Sequence, residues 1–187
     1  GIVGITGSVG KTSTKEAVNV VLRSFRSVRA SSGNFNNDIG LPLTILGNYD
    51  RVGGVFFWCQ VILASCLRLL VRVNYPEVLI LEYGADKPGD IKYLLEIAKP
   101  QIGIVTAIGD IPAHVEFYSG PETVAREKSR LVEAIGATGF TVLNFDDQAV
   151  LDMKERTRAH VVSYGFGEGS EMRITNFEQR LDNGRPA

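Results

Sequence analysis

The chain has 187 residues, 44% of them hydrophobic and 22% charged, with a formal net charge of −1. That length suits one sizeable α/β domain of ordinary soluble composition. A balanced charge excludes the broad basic field that draws nucleic acid, so no nucleic-acid partner is expected.

Residues 2–6 are a short apolar run that predicts a strand, and Thr12 to Arg23 carry helical spacing without glycine or proline. Between them runs Gly4-Ile5-Thr6-Gly7-Ser8-Val9-Gly10-Lys11-Thr12. Strand, glycine loop and helix form the context of a phosphate-binding P-loop. Gly7 and Gly10 permit the tight turn that aims successive N–H groups at phosphate oxygens. The helix adds its positive N-terminal end. Lys11 supplies a point charge for the β and γ phosphates, and the Thr12 hydroxyl can ligate magnesium. ATP and Mg2+ are therefore the expected cofactors. The strict pattern wants a glycine five residues before Gly10; Ile5 stands there, and Gly4 is one place early. This start, with no charged and apolar leader pattern, predicts no signal peptide.

Residues 31–38 are polar and predict a loop, after which Pro42 opens a short apolar stretch, 41–46. Residues 52–73 are strongly apolar, but Gln60, Ser65, Arg68 and Arg72 interrupt them. No run of about 18 apolar residues remains, so no transmembrane span is expected. A buried or partner-facing helix is, or an interfacial one in peripheral contact with a membrane. Cys59 and Cys66 lie on one face of it and read as reduced core residues, in keeping with a cytoplasmic location. Tyr75-Pro76 is expected to break this helix.

Val78-Leu79-Ile80-Leu81 predicts a strand covered on both faces, and it ends in Glu82. An acid in that position is either a metal-ligating carboxylate or a plain surface acid. A helix is expected over 88–98 and a strand over 102–108, leading to Asp110 and His114. That histidine is either structural or a second metal ligand.

A helix over 120–135 opens with a capping box of Ser119 and Glu122. Its Val124, Lys128, Leu131, Val132 and Ile135 share one face, whereas Arg126, Glu127 and Arg130 fall elsewhere. Lys128 thus lies in an apolar stripe. Its stem either snorkels to solvent, or its amine is desolvated, neutral and open to modification. A strand over 140–144 ends in Asn144, followed by Asp146 and Asp147 without the lysine of a guanine-reading motif. A helix over 146–158 and a strand over 160–164 follow. Met172 to Phe177 is strand-like, and Asn183-Gly184 is a hairpin signal whose returning strand is missing. With a strand beginning at residue 1, this suggests a domain cut from a longer protein at both ends.

Alternating strands and helices predict an α/β fold: a mostly parallel sheet with right-handed crossovers and helices on both faces, like a P-loop NTPase. Such sheets bind ligands at the carboxyl ends of their strands. Lys11, Glu82, His114 and Asn144, with Lys128 from a neighbouring helix, are expected to meet in one crevice there.

These residues resemble the Mur ligase family. Thr6-Gly7-Ser8-Val9-Gly10-Lys11-Thr12-Ser13 is similar to its ATP-binding signature, including the departure at Ile5. Gly33-Asn34-Phe35-Asn36-Asn37-Asp38-Ile39-Gly40-Leu41-Pro42-Leu43-Thr44 and Leu81-Glu82-Tyr83-Gly84-Ala85-Asp86-Lys87-Pro88-Gly89-Asp90 resemble two further blocks. A third runs from Ala113-His114-Val115-Glu116 through Ala125-Arg126-Glu127-Lys128. The resemblance extends from residue 1 to about residue 165; segment 52–73 reads as a lineage-specific insertion.

The resemblance implies that residues 1–187 are the central ATP-binding domain of an ATP-dependent peptide ligase, with the UDP-substrate and C-terminal ligase domains outside the chain. The Asn-Asn-Asp and Gly-Ala-Asp-Lys-Pro-Gly blocks favour the branch that makes peptidoglycan precursors for the cell wall. That branch adds D-alanyl-D-alanine to UDP-N-acetylmuramoyl-tripeptide through an acyl phosphate. Folylpolyglutamate and cyanophycin-type ligases are alternatives, as is a non-catalytic nucleotide-binding module. The domain alone is expected to be monomeric and inactive in ligation. By the same resemblance Gly7, Ser8, Val9, Gly10, Lys11, Thr12 and Ser13 hold the phosphates. Asn37, or Asn36 beside it, lies near the γ-phosphate and metal, and Asn144 contacts adenine. Thr12, Glu82, His114 and Lys128 serve magnesium, Lys128 as a carbamate. Lys11, Lys128 and His114 are the expected catalytic residues.

Overall fold

In the computed structural model, residues 1–33, 35–71, 74–109, 112 and 115–177 are described, together with the backbone of 181–182 and 185–186. His114, Asp110, Asn34 and the Asn183-Gly184 turn lie outside the described residues.

Seven strands form one sheet in the order β2-β3-β1-β4-β5-β6-β7, and every pairing in it is parallel. They are β1 (Ile2–Thr6), β2 (Val28–Ala30), β3 (Val78–Glu82), β4 (Ile102–Val105), β5 (Phe140–Asn144), β6 (His160–Gly165) and β7 (Met172–Arg173). Parallel neighbours require crossovers, and six α-helices occur among the described residues. They are α1 (Lys11–Arg23), α2 (Gly40–Leu46), α3 (Val55–Leu70), α4 (Asp90–Ile97), α5 (Pro121–Glu133) and α6 (Gln148–Leu151).

Strand side chains alternate between faces, which divides the core into two layers. Ile5, Ile80 and Ile104 pack with Val18 and Leu22 of α1. On the opposite face Leu79, Leu81 and Tyr83 pack with Ile91, Leu94 and Leu131 of α4 and α5. Val105 and Leu143 meet Val132 and Val150 there as well. The expected parallel sheet covered on both faces is thus present.

Several local expectations change. The apolar stretch 41–46 is helix α2. The predicted strand 102–108 stops at Val105, and the predicted helix 146–158 is the short α6 followed by a 3-10 turn, Asp152–Arg156. The capping box of Ser119 and Glu122 does not form: the cap position of α5 is Gly120, with no side-chain bond, and Pro121 starts the helix. The returning strand after the Asn-Gly signal exists, since β8 (Leu181–Asp182) pairs antiparallel with β9 (Arg185–Pro186).

Helix α3 departs furthest from expectation. Only Val61 on it is buried, whereas Phe56 is 92% and Leu69 88% exposed. Cys59 and Cys66 are exposed too, not core residues, because the helix face that carries them points away from the sheet. Val61, the Phe57 ring edge-on to Tyr49, and Arg68 donating to the Leu46 carbonyl hold α3 against the rest of the domain. It ends at Leu70, before Tyr75-Pro76. Among the described residues no helix is long and apolar enough to cross a membrane.

Candidate nucleotide and metal site

The loop after β1 is built on Thr106. Its hydroxyl donates to the Val9 carbonyl (2.6 Å) and lies 3.3 Å from that of Thr6. Gly7 has φ +148°, and a side chain there would overlap the Thr106 hydroxyl; a glycine is required on both counts. The loop amides fall into two sets. Ser8 and Val9 N–H both donate to the Ala107 carbonyl, at 2.6 and 3.3 Å. The amides that open α1, from Lys11 to Ser13, precede its first backbone bond, Thr14 N–H to the Gly10 carbonyl, so they and the helix dipole face the strand ends. Thr12 and Ser13 are exposed at that turn. The Ser8 hydroxyl is buried without a hydrogen-bond partner. Lys11 folds its amine onto the Gly7 and Ser8 carbonyls, at 2.9 and 3.3 Å. Burial lowers its pKa, while Glu82 and Asp86 pull it back up.

Glu82 ends β3 two residues after Ile80, and the strand period therefore turns it to the α1 face. It is 1% exposed, which rules out a plain surface acid. Neither carboxylate oxygen accepts a hydrogen bond of good geometry. The amine of Lys15, itself fully buried, lies 3.1 Å from Glu82 Oε1 and donates to the Gly33 carbonyl at 2.9 Å. Sequence reading missed Lys15. The signal was available: a lysine one helical turn after Lys11 lies on the face that α1 presents to the sheet.

The loop that precedes α2 closes on the same strand end. The Asn36 carbonyl accepts from Gly84 N–H at 2.8 Å, and a Cβ at Gly84 would come within 2.8 Å of that oxygen. Asn37 Oδ1 accepts from Gly40 N–H at 2.8 Å and so caps α2. Asn36, Asn37, Gly84, Asp86, Asp90 and Tyr93 border a cleft of about 560 Å³.

Lys128 is 2% exposed on α5, in line with the buried Val124, Leu131 and Val132, as its spacing predicts. Burial and the nearby charge of Lys11 lower its pKa from 10.5 to about 8, against the pull of Asp86 and Glu127. Glu127, which the spacing places off that stripe, is buried as well. α5 packs against α4 beside its sheet-facing stripe, so Glu127 Oε1 accepts from Ile91 N–H (3.1 Å) and Oε2 from Arg130 (2.8 Å).

Asn144 stands at the end of β5, where its Oδ1 accepts from Asp146 N–H at 3.0 Å. Asp146 and Asp147 organise backbone: Asp146 accepts from Phe166 and Gly167, and Asp147 from Ile108, Gly109 and Val150. Lys11 follows β1, Glu82 ends β3 and Asn144 ends β5, all at the carboxyl ends of parallel strands. Lys11 feels the charges of Glu82 and Asp86, and Lys128 those of Lys11 and Asp86. His114 lies outside the described residues, and among those described no cluster of His, Cys, Asp and Glu forms a complete metal site. Glu82, with buried oxygens that lack hydrogen bonds, still fits a divalent ion as one ligand.

Comparison with known proteins bears on the family and the fold. Residues 5–56 and 61–185 match the family model described as Mur ligase middle domain. The UDP-N-acetylmuramoyl-tripeptide–D-alanyl-D-alanine ligase of Mycobacterium leprae is 38% identical over 90% of the chain, which spans 28% of that protein. The crystal structure of MurF from Acinetobacter baumannii superposes with a TM-score of 0.73 at 25% identity, over 95% of this chain and 33% of that one. MurF ligase from Thermotoga maritima, solved in complex with ADP, has a TM-score of 0.65 at 30% identity, over 90% and 33% respectively.

Proposed function

This chain belongs to the Mur ligase family, as its middle domain, and from that premise we propose that it is the ATP- and magnesium-binding domain of a D-alanyl-D-alanine-adding ligase. The parent enzyme would join that dipeptide to UDP-N-acetylmuramoyl-tripeptide in the cytoplasm, as a step of peptidoglycan synthesis. The observation that carries the reading is the shared electrostatic environment of Lys11, Glu82, Asp86 and Lys128 beside the glycine loop.

A carboxylate is a poor electrophile, and phosphoryl transfer from ATP converts it to an acyl phosphate that an amine can attack, releasing phosphate. The protein contributes positioning and charge neutralisation. Lys11 would leave its loop carbonyls for the β and γ phosphates, and the amides opening α1 would take phosphate oxygens. Thr12, Glu82 and modified Lys128 would hold magnesium, with His114 as a further ligand. Bound magnesium would spread the charge of the transferring group. Asn37, already fixed at the start of α2, would approach the γ-phosphate side. Asn144 would offer its amide NH2 to the adenine, its Oδ1 being engaged by Asp146 N–H.

Lys128 supports a second chemical role. An amine with a pKa of about 8 has a substantial neutral fraction near neutrality. Attack of the neutral amine nitrogen on carbon dioxide, with loss of one proton, gives a carbamate anion suited to a cation. Intact mass measured under carbon dioxide, with magnesium and a nucleotide, is expected to rise by one carboxyl group, and Lys128→Met to abolish the gain.

Isothermal titration with Mg·ATP tests the domain assignment. Weak binding is expected from the isolated domain and none from Lys11→Ala; equal binding by both would overturn the phosphate assignment. Full-length enzyme should release phosphate with UDP-N-acetylmuramoyl-tripeptide and D-alanyl-D-alanine, and silence with both substrates would defeat the ligase reading. The exposed apolar surface of α3 supports a peripheral contact with a membrane or a partner. Liposome flotation of the protein with and without residues 52–73 tests the membrane case.

A further inference from the structure

A closed ring of contacts joins three segments around the candidate metal ligand. Lys15 on α1 donates to the Gly33 carbonyl at 2.9 Å and lies 3.1 Å from Glu82 Oε1 at the end of β3. Two residues past Glu82, Gly84 N–H bonds the Asn36 carbonyl at 2.8 Å. Asn36 belongs to the same loop as Gly33, so the ring returns to Lys15. Lys15 and Glu82 are 0% and 1% exposed. Glu16, the other acid near the Lys15 amine at 3.5 Å, is more than half exposed and competes weakly.

The Lys15 ammonium lies 3.1 Å from Oε1, and both oxygens of Glu82 are buried without a hydrogen bond of good geometry. A buried carboxylate set against one fixed cation, with acceptor capacity left on both oxygens, is oriented by that cation and still able to take a second. The ligands of a metal are commonly oriented by partners of this kind.

We propose that Lys15 is a positioning residue of the nucleotide site: it orients Glu82 for the metal, and it ties the loop at Gly33 to that acid. Lys15 itself touches neither phosphate nor metal. The proposal rests on the reading of Glu82 as a magnesium ligand given above. It distinguishes the two lysines of α1 by role, since Lys11 answers to the phosphates and Lys15 to the acid.

The test is nucleotide binding by Lys15→Met, with and without magnesium. Wild type should bind Mg·ATP more tightly than metal-free ATP. In Lys15→Met the affinity for metal-free ATP should stay within a few-fold, while the gain from magnesium falls by about tenfold to a hundredfold. A folded variant that keeps the full magnesium gain overturns the proposal. Loss of binding to metal-free ATP as well would assign Lys15 to the phosphates and overturn it too. If wild type shows no magnesium gain, the reading of Glu82 fails instead.

A second measurement needs no variant. The 15N-labelled Lys15 ammonium of wild-type protein should be protected from solvent exchange, unlike surface lysines, and its resonance should shift on adding Mg·ATP more than on adding ATP. Rapid exchange, or equal shifts, would overturn the assignment even if Lys15→Met does not fold.

Discussion

The Thr106 hydroxyl occupies the space into which any side chain at Gly7 would project. The same hydroxyl bonds the Val9 carbonyl, so one threonine just past the end of β4 both demands the glycine and holds the loop it permits. Thr106→Val keeps the shape and removes the bond. It should cost about 1–2 kcal/mol in urea denaturation and weaken ATP binding by more than it weakens the fold. Gly7→Ala should abolish ATP binding outright; undiminished titration heat would contradict the steric argument.

Lys128 gives the stability a definite pH dependence. Its folded-state pKa of about 8 lies below the ordinary 10.5, so the unfolded chain holds more protons between these values. Stability should therefore rise as pH climbs from about 8 toward 10.5, and the burial penalty is fully felt below that window. Lys128→Met should stabilise the protein at pH 7 by about 3 kcal/mol and flatten this rise. Thermal melts of both proteins, in buffer freed of carbon dioxide, would reveal a persisting slope if another group is responsible.

Glu127 clamps α5 to the first turn of α4 through Ile91 N–H. Glu127→Ala leaves that buried donor without its partner and removes a favourable negative charge at a helix start. A loss of about 1–3 kcal/mol is expected. Faster amide exchange at Ile91 and its neighbours should accompany it, and unchanged exchange would show that the clamp is idle.

Helix α3 should respond to substitution in two opposite ways. Phe56→Ser and Leu69→Ser alter side chains 92% and 88% exposed, and each should change stability by no more than about 0.5 kcal/mol. Val61→Ala, at a position 1% exposed, should cost roughly 1–3 kcal/mol. Equal effects at all three would mean that the helix docks by another face.

Much of this architecture is legible in the sequence because its signals are local. Val78-Leu79-Ile80-Leu81 is apolar at every position, as a strand covered on both faces must be, and the glycine loop lies between strand and helix patterns. The stripe holding Lys128 follows from helical spacing alone. What escapes depends on partners remote in sequence. Strand β2 has only three residues, all of them half-buried, and becomes a strand by pairing with β3. Glu127 reads only as lying off the apolar stripe of its helix until α4 packs beside it. The cysteines of α3 read as core because apolar composition does not say whether a surface exists to cover it. Lys15 looks like a second basic residue of the phosphate helix until Ile80, two residues before Glu82, shows which side of the sheet the acid faces.

The placement of β1 bears on how the chain acquires this structure. Its neighbours on either side are β3, which begins at Val78, and β4, which begins at Ile102. Within this chain β1 is thus synthesised before both of its sheet neighbours, and it waits for partners that follow long afterwards. The glycine loop cannot take its final form before Thr106 and Ala107 have emerged. Distant pairings of this kind delay folding and leave apolar strands uncovered for longer. An early-acting chaperone would meet Ile2–Thr6 as a bare apolar peptide, long before the finished nucleotide site exists.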